Sequence, residues 1–174
     1  MRHDLFPTPV WHIEGAPQQL IDELYQGAYK LKEYYSDNLN RSNQGGYHST
    51  PLIWEDFHPQ GIEYIDKVVG DIFKFKVIEW WYNINGKGHW NIPHTHPSSD
   101  IALVLYLTDS DGLLQLMNPF PQRNVESDNV GNVGINAKKG DIIMFPSDII
   151  HYVKPNPREE DRISISMNLQ LCRY

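Results

Sequence analysis

The segment from residue 162 to residue 171 carries the clearest information about the fold, and it reads RISISMNLQL. From Ile163 to Leu171 every second residue is large and apolar, and the residues between them are polar. Because side chains of a β-strand point alternately to opposite faces, this pattern predicts a strand with one apolar and one polar face. Two arrangements stay open: the polar face meets solvent, or it points into a barrel that encloses a polar ligand.

Further short segments with strand-like composition occupy the rest of the chain after residue 75. Turn signals separate them, such as Asn85-Gly86, Asp111-Gly112 and Lys139-Gly140. Many short strands at close spacing predict a mainly β (α+β) fold, either a sandwich or a small barrel. The predicted strands before residue 162 cover residues 75–84, 101–107, 113–117, 134–137, 141–145 and 149–153.

Helical periodicity is confined to the first part of the chain. Between residues 16 and 35, apolar residues recur with a spacing near 3.6, and a second such stripe lies between residues 62 and 73. We therefore predict a single domain over residues 1–174. In it, residues 1–74 form a helical flanking region and residues 75–174 form the β core.

The composition narrows the functional class. The chain has 174 residues and a formal net charge of −7, which disfavours nucleic acid as a partner. A single cysteine, Cys172, excludes an internal disulfide framework and a cysteine-rich zinc site. The longest apolar run, residues 101–107, is too short to span a bilayer, and residues 1–4 do not resemble a signal peptide. These features predict a cytoplasmic protein without membrane contact.

Three of the eight histidines occur in a pattern that is typical of a metal site. His94 and His96 flank Thr95, so in an extended segment their imidazoles share one face. His151 follows a short apolar strand and a turn. Antiparallel strand pairing after this turn can bring His151 close to His94 and His96. Three such ligands leave coordination positions open for a substrate. The alternative interpretation is two surface histidines and one that packs in the core.

The spacing around these histidines resembles the cupin double-stranded β-helix pattern. Gly88 precedes His94 by six positions, and Gly140 precedes Pro146 by six positions, with His151 further on. The Arg162-x-Ser164 pair after His151 resembles the iron(II)/2-oxoglutarate oxygenases of this fold, and more specifically a family from bacteria and phages. The resemblance covers most of the chain, through residues 42–43, 45–49, 80–83, 94–97, 106–107, 140–146, 151 and 162–168.

This resemblance implies a fold, an activity and a set of site residues. The fold is a double-stranded β-helix (jelly-roll) core with N-terminal flanking helices, and the activity is that of an Fe(II)- and 2-oxoglutarate-dependent dioxygenase (hydroxylase). Within it, the catalytic residues and metal ligands are His94, His96 and His151. A carboxylate buried in a barrel needs a cation, so Arg162 with Ser164 binds the distal carboxylate of 2-oxoglutarate. The further cofactor-binding candidates are Tyr106, Tyr82 and Asn83.

One position departs from the family pattern, which has an acid where His96 stands. A metal site with three neutral ligands has a net charge one unit more positive than a site with an acid ligand. This difference alters the affinity for the metal and its reduction potential. Asp100 is the alternative ligand, four residues beyond His96. It lies about 13 Å away if the chain stays extended.

Two other functions stay open from the sequence. One is a cupin-type metalloprotein that uses a three-histidine site without 2-oxoglutarate, and the other is a catalytically inactive jelly-roll protein that binds a ligand or belongs to a virion. The sequence predicts a small-molecule or peptide substrate and does not identify it. The polar segment of residues 118–132 is predicted to form a long loop that acts as a lid. The sequence neither requires nor excludes a homodimer through the front helices.

Overall fold

A computed structural model describes residues 7–36, 38–119 and 131–172. Most of the regular structure is β, arranged in two antiparallel sheets. The greater part of the predicted lid, residues 120–130, lies outside the described residues. In the ranges that are described, no helix is both long enough and apolar enough to cross a membrane.

Two α-helices precede the long strands. Helix α1 spans Gln18–Tyr34 and directly follows Pro17, whose fixed backbone angle suits a helix start. It buries Leu20, Ile21, Leu24 and Ala28, which share one face at a spacing of three or four residues. Helix α2 spans Pro59–Gly70 and buries Gly61, Ile65 and Val69. Both helices therefore present an apolar stripe to the rest of the fold.

The main sheet has six strands in the order β1-β9-β6-β11-β4-β3, and all neighbours are antiparallel. Strand β11 lies near its centre, between β6 and β4. The bounds of these strands are Trp11–Ile13 (β1), Tyr47–His48 (β3), Phe75–Asn85 (β4), Ile101–Tyr106 (β6), Ile142–Pro146 (β9) and Arg162–Leu171 (β11).

The second sheet has five strands in the order β2-β5-β10-β7-β8. Its strands are shorter, and two of them carry the candidate metal ligands His94 and His151. The bounds are Asn43–Gln44 (β2), Trp90–His94 (β5), Leu114–Met117 (β7), Asn132–Ile135 (β8) and His151–Val153 (β10). Strand β5 was not among the sequence predictions, because Asn91 and Pro93 interrupt its apolar residues.

Both faces of β11 are buried, and this decides between the two arrangements that the alternation left open. The apolar side chains, from Ile163 to Leu169, belong to one core cluster together with residues of α1 and α2. Arg162, Ser164 and Asn168 lie on the opposite face and are also buried. The helices cover the apolar face of the main sheet, so its polar face points inward, toward the second sheet.

The region before residue 75 is not purely helical, which corrects the predicted division of the chain. It contributes β1 at one edge of the main sheet, β3 at the other edge of that sheet and β2 at an edge of the second sheet. Gly45 and Gly46 connect β2 to β3 at φ +71° and +73°, where other residues are strained. A Cβ on Gly46 would stand 2.7 Å from the carbonyl oxygen of Ile84. The two glycines thus let this connection pass closely against β4.

Candidate metal centre

Strand pairing between β5 and β10 builds the histidine cluster. His151 is the direct antiparallel partner of His94, and such cross-strand neighbours have Cβ atoms about 5 Å apart. His96 follows two residues after His94, and its backbone N–H donates to the carbonyl of Ser147. Candidate ligand atoms of His94, His96 and His151 lie within 4.8 Å of one another. The predicted return of His151 to the pair is confirmed.

Backbone carbonyls orient two of the three rings. The Nδ1 of His94 is 2.7 Å from the carbonyl oxygen of Ile92, and that of His151 is 2.9 Å from the carbonyl oxygen of Ile149. A carbonyl can only accept, so each Nδ1 carries the proton and each Nε2 keeps a free lone pair. Hydrogen bonds of this kind fix the tautomer of metal-binding histidines.

The spacing of the nitrogens suits a shared cation. The Nε2 atoms of His96 and His151 stand 3.2 Å apart. Two nitrogens that bind one metal at about 2.1 Å and at right angles to each other are separated by about 3 Å. Two lone pairs at such a distance repel each other unless a proton or a metal ion lies between them. The donor set therefore fits a metal ion.

Burial keeps these rings neutral at physiological pH. Burial, and then the charges of the neighbouring rings, lowers the pKa of His96 to about 3. Burial and the charge of His94 lower the pKa of His151 to about 4. The pKa of His94 is also lowered, again by burial. Neutral imidazole is the form that ligates metals, so no proton has to be displaced at pH 7.

Asp100, the alternative ligand, lies away from the cluster. Its Oδ2 accepts a 2.9 Å hydrogen bond from the backbone N–H of Leu171, at the end of β11. Its own N–H and carbonyl are bonded to Leu169 and Ser147. These bonds hold the carboxylate toward the main sheet, and the group of clustered ligand atoms contains His96 instead. The structure thus corrects the alternative that Asp100 completes the site.

A cavity between the two sheets extends from the histidines to Arg162. The side chain of Arg162 is inward-facing and the residue is only 5% exposed. Its Nε has no hydrogen-bond partner, and no carboxylate pairs with it in the ranges 7–36, 38–119 and 131–172. A buried guanidinium without an anion is costly, so this arrangement indicates a site for an anionic ligand.

Three of the predicted cofactor-binding residues, Ser164, Tyr106 and Asn83, line the same cavity. Ser164 and Tyr106 are direct partners on β11 and β6, and Ser164 and Asn83 are partners on β11 and β4. Burial raises the pKa of the Tyr106 hydroxyl, which therefore remains a hydrogen-bond donor. The wall beside Arg162 thus offers a hydroxyl from each of two neighbouring strands.

The prediction that Tyr82 faces the cofactor or substrate is wrong. Tyr82 neighbours Asn83 on β4, so strand alternation turns it to the opposite face. There it belongs to the apolar core and packs edge-on against Trp80. Its hydroxyl would meet a Cβ on Gly27 of helix α1 at 3.0 Å. Tyr82 thus contributes to helix packing.

The same alternation reveals cavity residues that the motifs did not single out. Trp81 and Ser166 share the inward face with Asn83 and Ser164, and both line the cavity. The Asn83 Nδ2 donates a 3.0 Å hydrogen bond to the Ser166 hydroxyl. On the second sheet, the side chain of Asn91 also lines the cavity and donates to the Ser42 hydroxyl. The alternation along β4 predicts that Trp81 and Asn83 share a face of the sheet, but it does not predict which face points to the cavity.

The comparison with protein families gives a match over residues 79–168, to the family described as "Putative 2OG-Fe(II) oxygenase". That range is more than half of the chain and includes the histidine cluster and the polar face of β11. The chain belongs to this family of 2-oxoglutarate (2OG) and iron oxygenases. It is accordingly an enzyme, and its cofactor and cosubstrate are Fe(II) and 2OG.

Solved structures with a similar fold include HygX and two prolyl hydroxylases. HygX from Streptomyces hygroscopicus, crystallised with nickel and 2OG, has a TM-score of 0.70 at 11% identity, covering 96% of this chain and 84% of HygX. A prolyl-4-hydroxylase from Pseudomonas putida has a TM-score of 0.68 at 14% identity, covering 95% and 94%. A prolyl hydroxylase from Trichoplax adhaerens has a TM-score of 0.66 at 15% identity, covering 92% and 83%. The comparison with curated proteins gives no match.

Proposed function

We propose that the protein hydroxylates a small-molecule or peptide substrate, with Fe(II) held by His94, His96 and His151 and 2OG anchored by Arg162. One observation carries this assignment: the buried guanidinium of Arg162, which has no anionic partner among the described residues, lies in the same cavity as three convergent neutral imidazoles. A dicarboxylate that reaches from the metal to Arg162 satisfies both ends.

At the metal end, His94 and His151 would each present Nε2, since their Nδ1 protons are donated to backbone carbonyls. His96 would add the third nitrogen in place of the family's usual acid. Three ligands on one side of the ion leave positions for 2OG and dioxygen. Bound together, Fe(II) and 2OG supply the oxidising power that transfers one oxygen atom of dioxygen to a substrate, while 2OG becomes succinate and carbon dioxide.

At the far end, Arg162 would donate a forked pair of hydrogen bonds to the distal carboxylate of 2OG. Ser164, from the same strand face, would donate its hydroxyl to the same group, and Tyr106 would donate from β6. Leu114 and Val104 also line the cavity and would shield it from water. Asn83 is already bonded to Ser166, so its part is to order the wall.

We also propose a specific architecture for the two sheets and the helices. We take the two sheets to be a double-stranded β-helix (jelly-roll) core with N-terminal flanking helices, within one domain of 174 residues. The antiparallel pairing, the interior cavity and the two helices on the main sheet support this description. A cytoplasmic location remains a prediction from the composition.

Anaerobic spectroscopy tests the proposal. Fe(II) and then 2OG are added to the apoprotein, and the visible spectrum is recorded after each addition. We expect a charge-transfer band that requires both components, because 2OG must chelate the metal through its keto acid end. Iron binding without the band would favour a cupin-type three-histidine protein that does not use 2OG. A protein that binds no iron would contradict the assignment of the three ligands.

A further inference from the structure

A second cleft opens on the other side of the histidine cluster, away from Arg162. Along the inward face of β11, Ser164 and Ser166 line the inner cavity and Asn168 lines this outer cleft. Trp81, His94 and His96 border both spaces, so a molecule in the outer cleft would lie against the metal ligands. The outer cleft, as we call it, is further lined by Arg41, His48, Glu79 and Pro97.

Its inner wall is an aromatic stack that ends on a metal ligand. The ring of Trp81 stacks on His48 at 5.5 Å between centroids and contacts His96 at 5.6 Å. The Nδ1 of His48 is 2.7 Å from the carbonyl oxygen of Ser49, so it carries the proton and Nε2 is an acceptor. The wall is therefore rigid, flat and largely apolar, and His48 adds one acceptor to it.

Opposite charges are held at its rim. The Nη1 of Arg41 lies 3.9 Å from Oε1 of Glu79, too far for a hydrogen bond. The same Oε1 accepts a 2.9 Å hydrogen bond from Nδ2 of Asn168, which is 7% exposed. The second oxygen of Glu79 has no hydrogen-bond partner in the part of the chain that the structure describes. The carboxylate of Glu79 and the guanidinium of Arg41 thus lie close together without a direct hydrogen bond between them.

The segment just before β2 holds Arg41 at the rim of the outer cleft. The backbone N–H of Arg41 donates to Oδ1 of the buried Asn43, and Asn38 accepts from the backbone of His48. The side chain of Arg41 is 53% exposed and that of Glu79 is 27% exposed, so both can be reached by a ligand from solvent. The bond to Asn43 holds the backbone of Arg41 in place, while its exposed guanidinium can adjust.

We propose that the outer cleft is the substrate site and that its substrate is a free amino acid or a compact zwitterion of the same kind. This inference rests on the proposed function. The ammonium group would bind Glu79, the carboxylate would bind Arg41, and the side chain would lie along Trp81 toward the metal ligands. A zwitterion matches the pair because its charges complement both groups at once. Glu79 would repel a substrate that is only an anion, and Arg41 would repel a substrate that is only a cation.

The experiment uses the anaerobic Fe(II)–2OG complex as a binding probe. Each of the common L-amino acids is added separately, and a shift of the visible charge-transfer band is titrated to give a Kd. We expect at least one amino acid to shift the band. Its N-acetylated and C-amidated forms, which each lack one charge, should bind at least about tenfold more weakly.

Variants locate the contacts. Glu79→Gln keeps an oxygen for Asn168 and removes the charge, and Arg41→Gln removes the cation from an exposed position. Each should raise the Kd of the amino acid about ten- to hundredfold and leave the band with 2OG alone unchanged. Lys87→Gln and Glu159→Gln remove one charge each from an exposed pair that does not line the cleft, and they should bind as wild type does.

The outcomes separate the two proposals. If no band forms with Fe(II) and 2OG, the proposed function fails. If the band forms but no amino acid shifts it, only the substrate assignment is overturned. Equal affinity for blocked and free amino acids would also overturn it, and so would unchanged affinity in both cleft variants.

Discussion

The two faces of the main sheet are both buried, yet they have opposite chemistry. One face, from Ile163 to Leu169 on β11, is closely packed against α1 and α2 in an apolar core. The other carries Arg162, Ser164 and Asn168 and encloses cavities. The helices supply enough apolar contact for stability, so the second face can hold polar groups whose hydrogen bonds are completed by ligands. Substitutions on the two faces should therefore have different consequences.

The largest effect is expected at the metal ligands. His151→Ala removes one of three nitrogens and should weaken Fe(II) binding at least about hundredfold. Anaerobic equilibrium titration with Fe(II) measures this affinity. His58→Ala, at a histidine that pairs with Glu23 and is not part of the cluster, is the control and should bind iron normally. Tight binding by the His151 variant would remove this residue from the site.

On the apolar face, shortening a fully buried side chain should reduce stability. Leu105→Ala should lower the free energy of unfolding by about 2–5 kcal/mol, because it leaves a cavity in a dense core. The adjacent Val104→Ala removes methyl groups that border an existing cavity and should cost about 1 kcal/mol. Urea unfolding of the two apoproteins measures the contrast, and equal losses would show that the two faces are packed alike.

The neutral histidines predict a pH dependence of apoprotein stability. The folded-state pKa of His151, about 4, lies below its unfolded value near 6.5, so protons bind preferentially to the unfolded chain. This contribution is complete above pH 6.5 and is lost as the pH falls toward 4. At pH 5 the loss relative to neutral pH is about 2 kcal/mol. Unfolding in the presence of a chelator should show this loss, and His151→Asn should show a smaller one. An equal pH dependence in both proteins would contradict the burial effect.

A smaller effect is expected from the hydroxyl of Ser166. Ser166→Ala removes the hydrogen bond from Asn83 on the polar face and should cost about 1 kcal/mol of stability. The affinity for 2OG should change little, because Asn83 and Ser166 shape the wall without binding the carboxylate. Thermal unfolding and a 2OG titration of the same variant check both parts. A large loss of 2OG affinity would assign Ser166 a direct contact.

The sequence predicted the strands with clear alternation and the three histidines with family spacing. It could not tell which face of β11 points inward, because a period of two is symmetric and the answer depends on what the helices cover. For the same reason Tyr82 was taken for a cavity residue. The sequence did not point to Trp81, Glu79 and His48 as site residues. Their position beside the metal ligands depends on the pairing of β3 with β4 and on strand register, which single residues do not reveal.

The central claim concerns the polar face of β11, which binds ligands at the expense of stability. Substitution of Arg162 tests this claim most directly. Calorimetric titration of 2OG into the metal-loaded wild type and Arg162→Met compares the two affinities. We predict that the variant binds 2OG about hundredfold more weakly or worse, since one partner of a buried charged contact is gone. Its apoprotein should be at least as stable as wild type, because the substitution removes a buried charge that no anion neutralises in the described part of the chain. Unchanged 2OG affinity in the variant would contradict the claim.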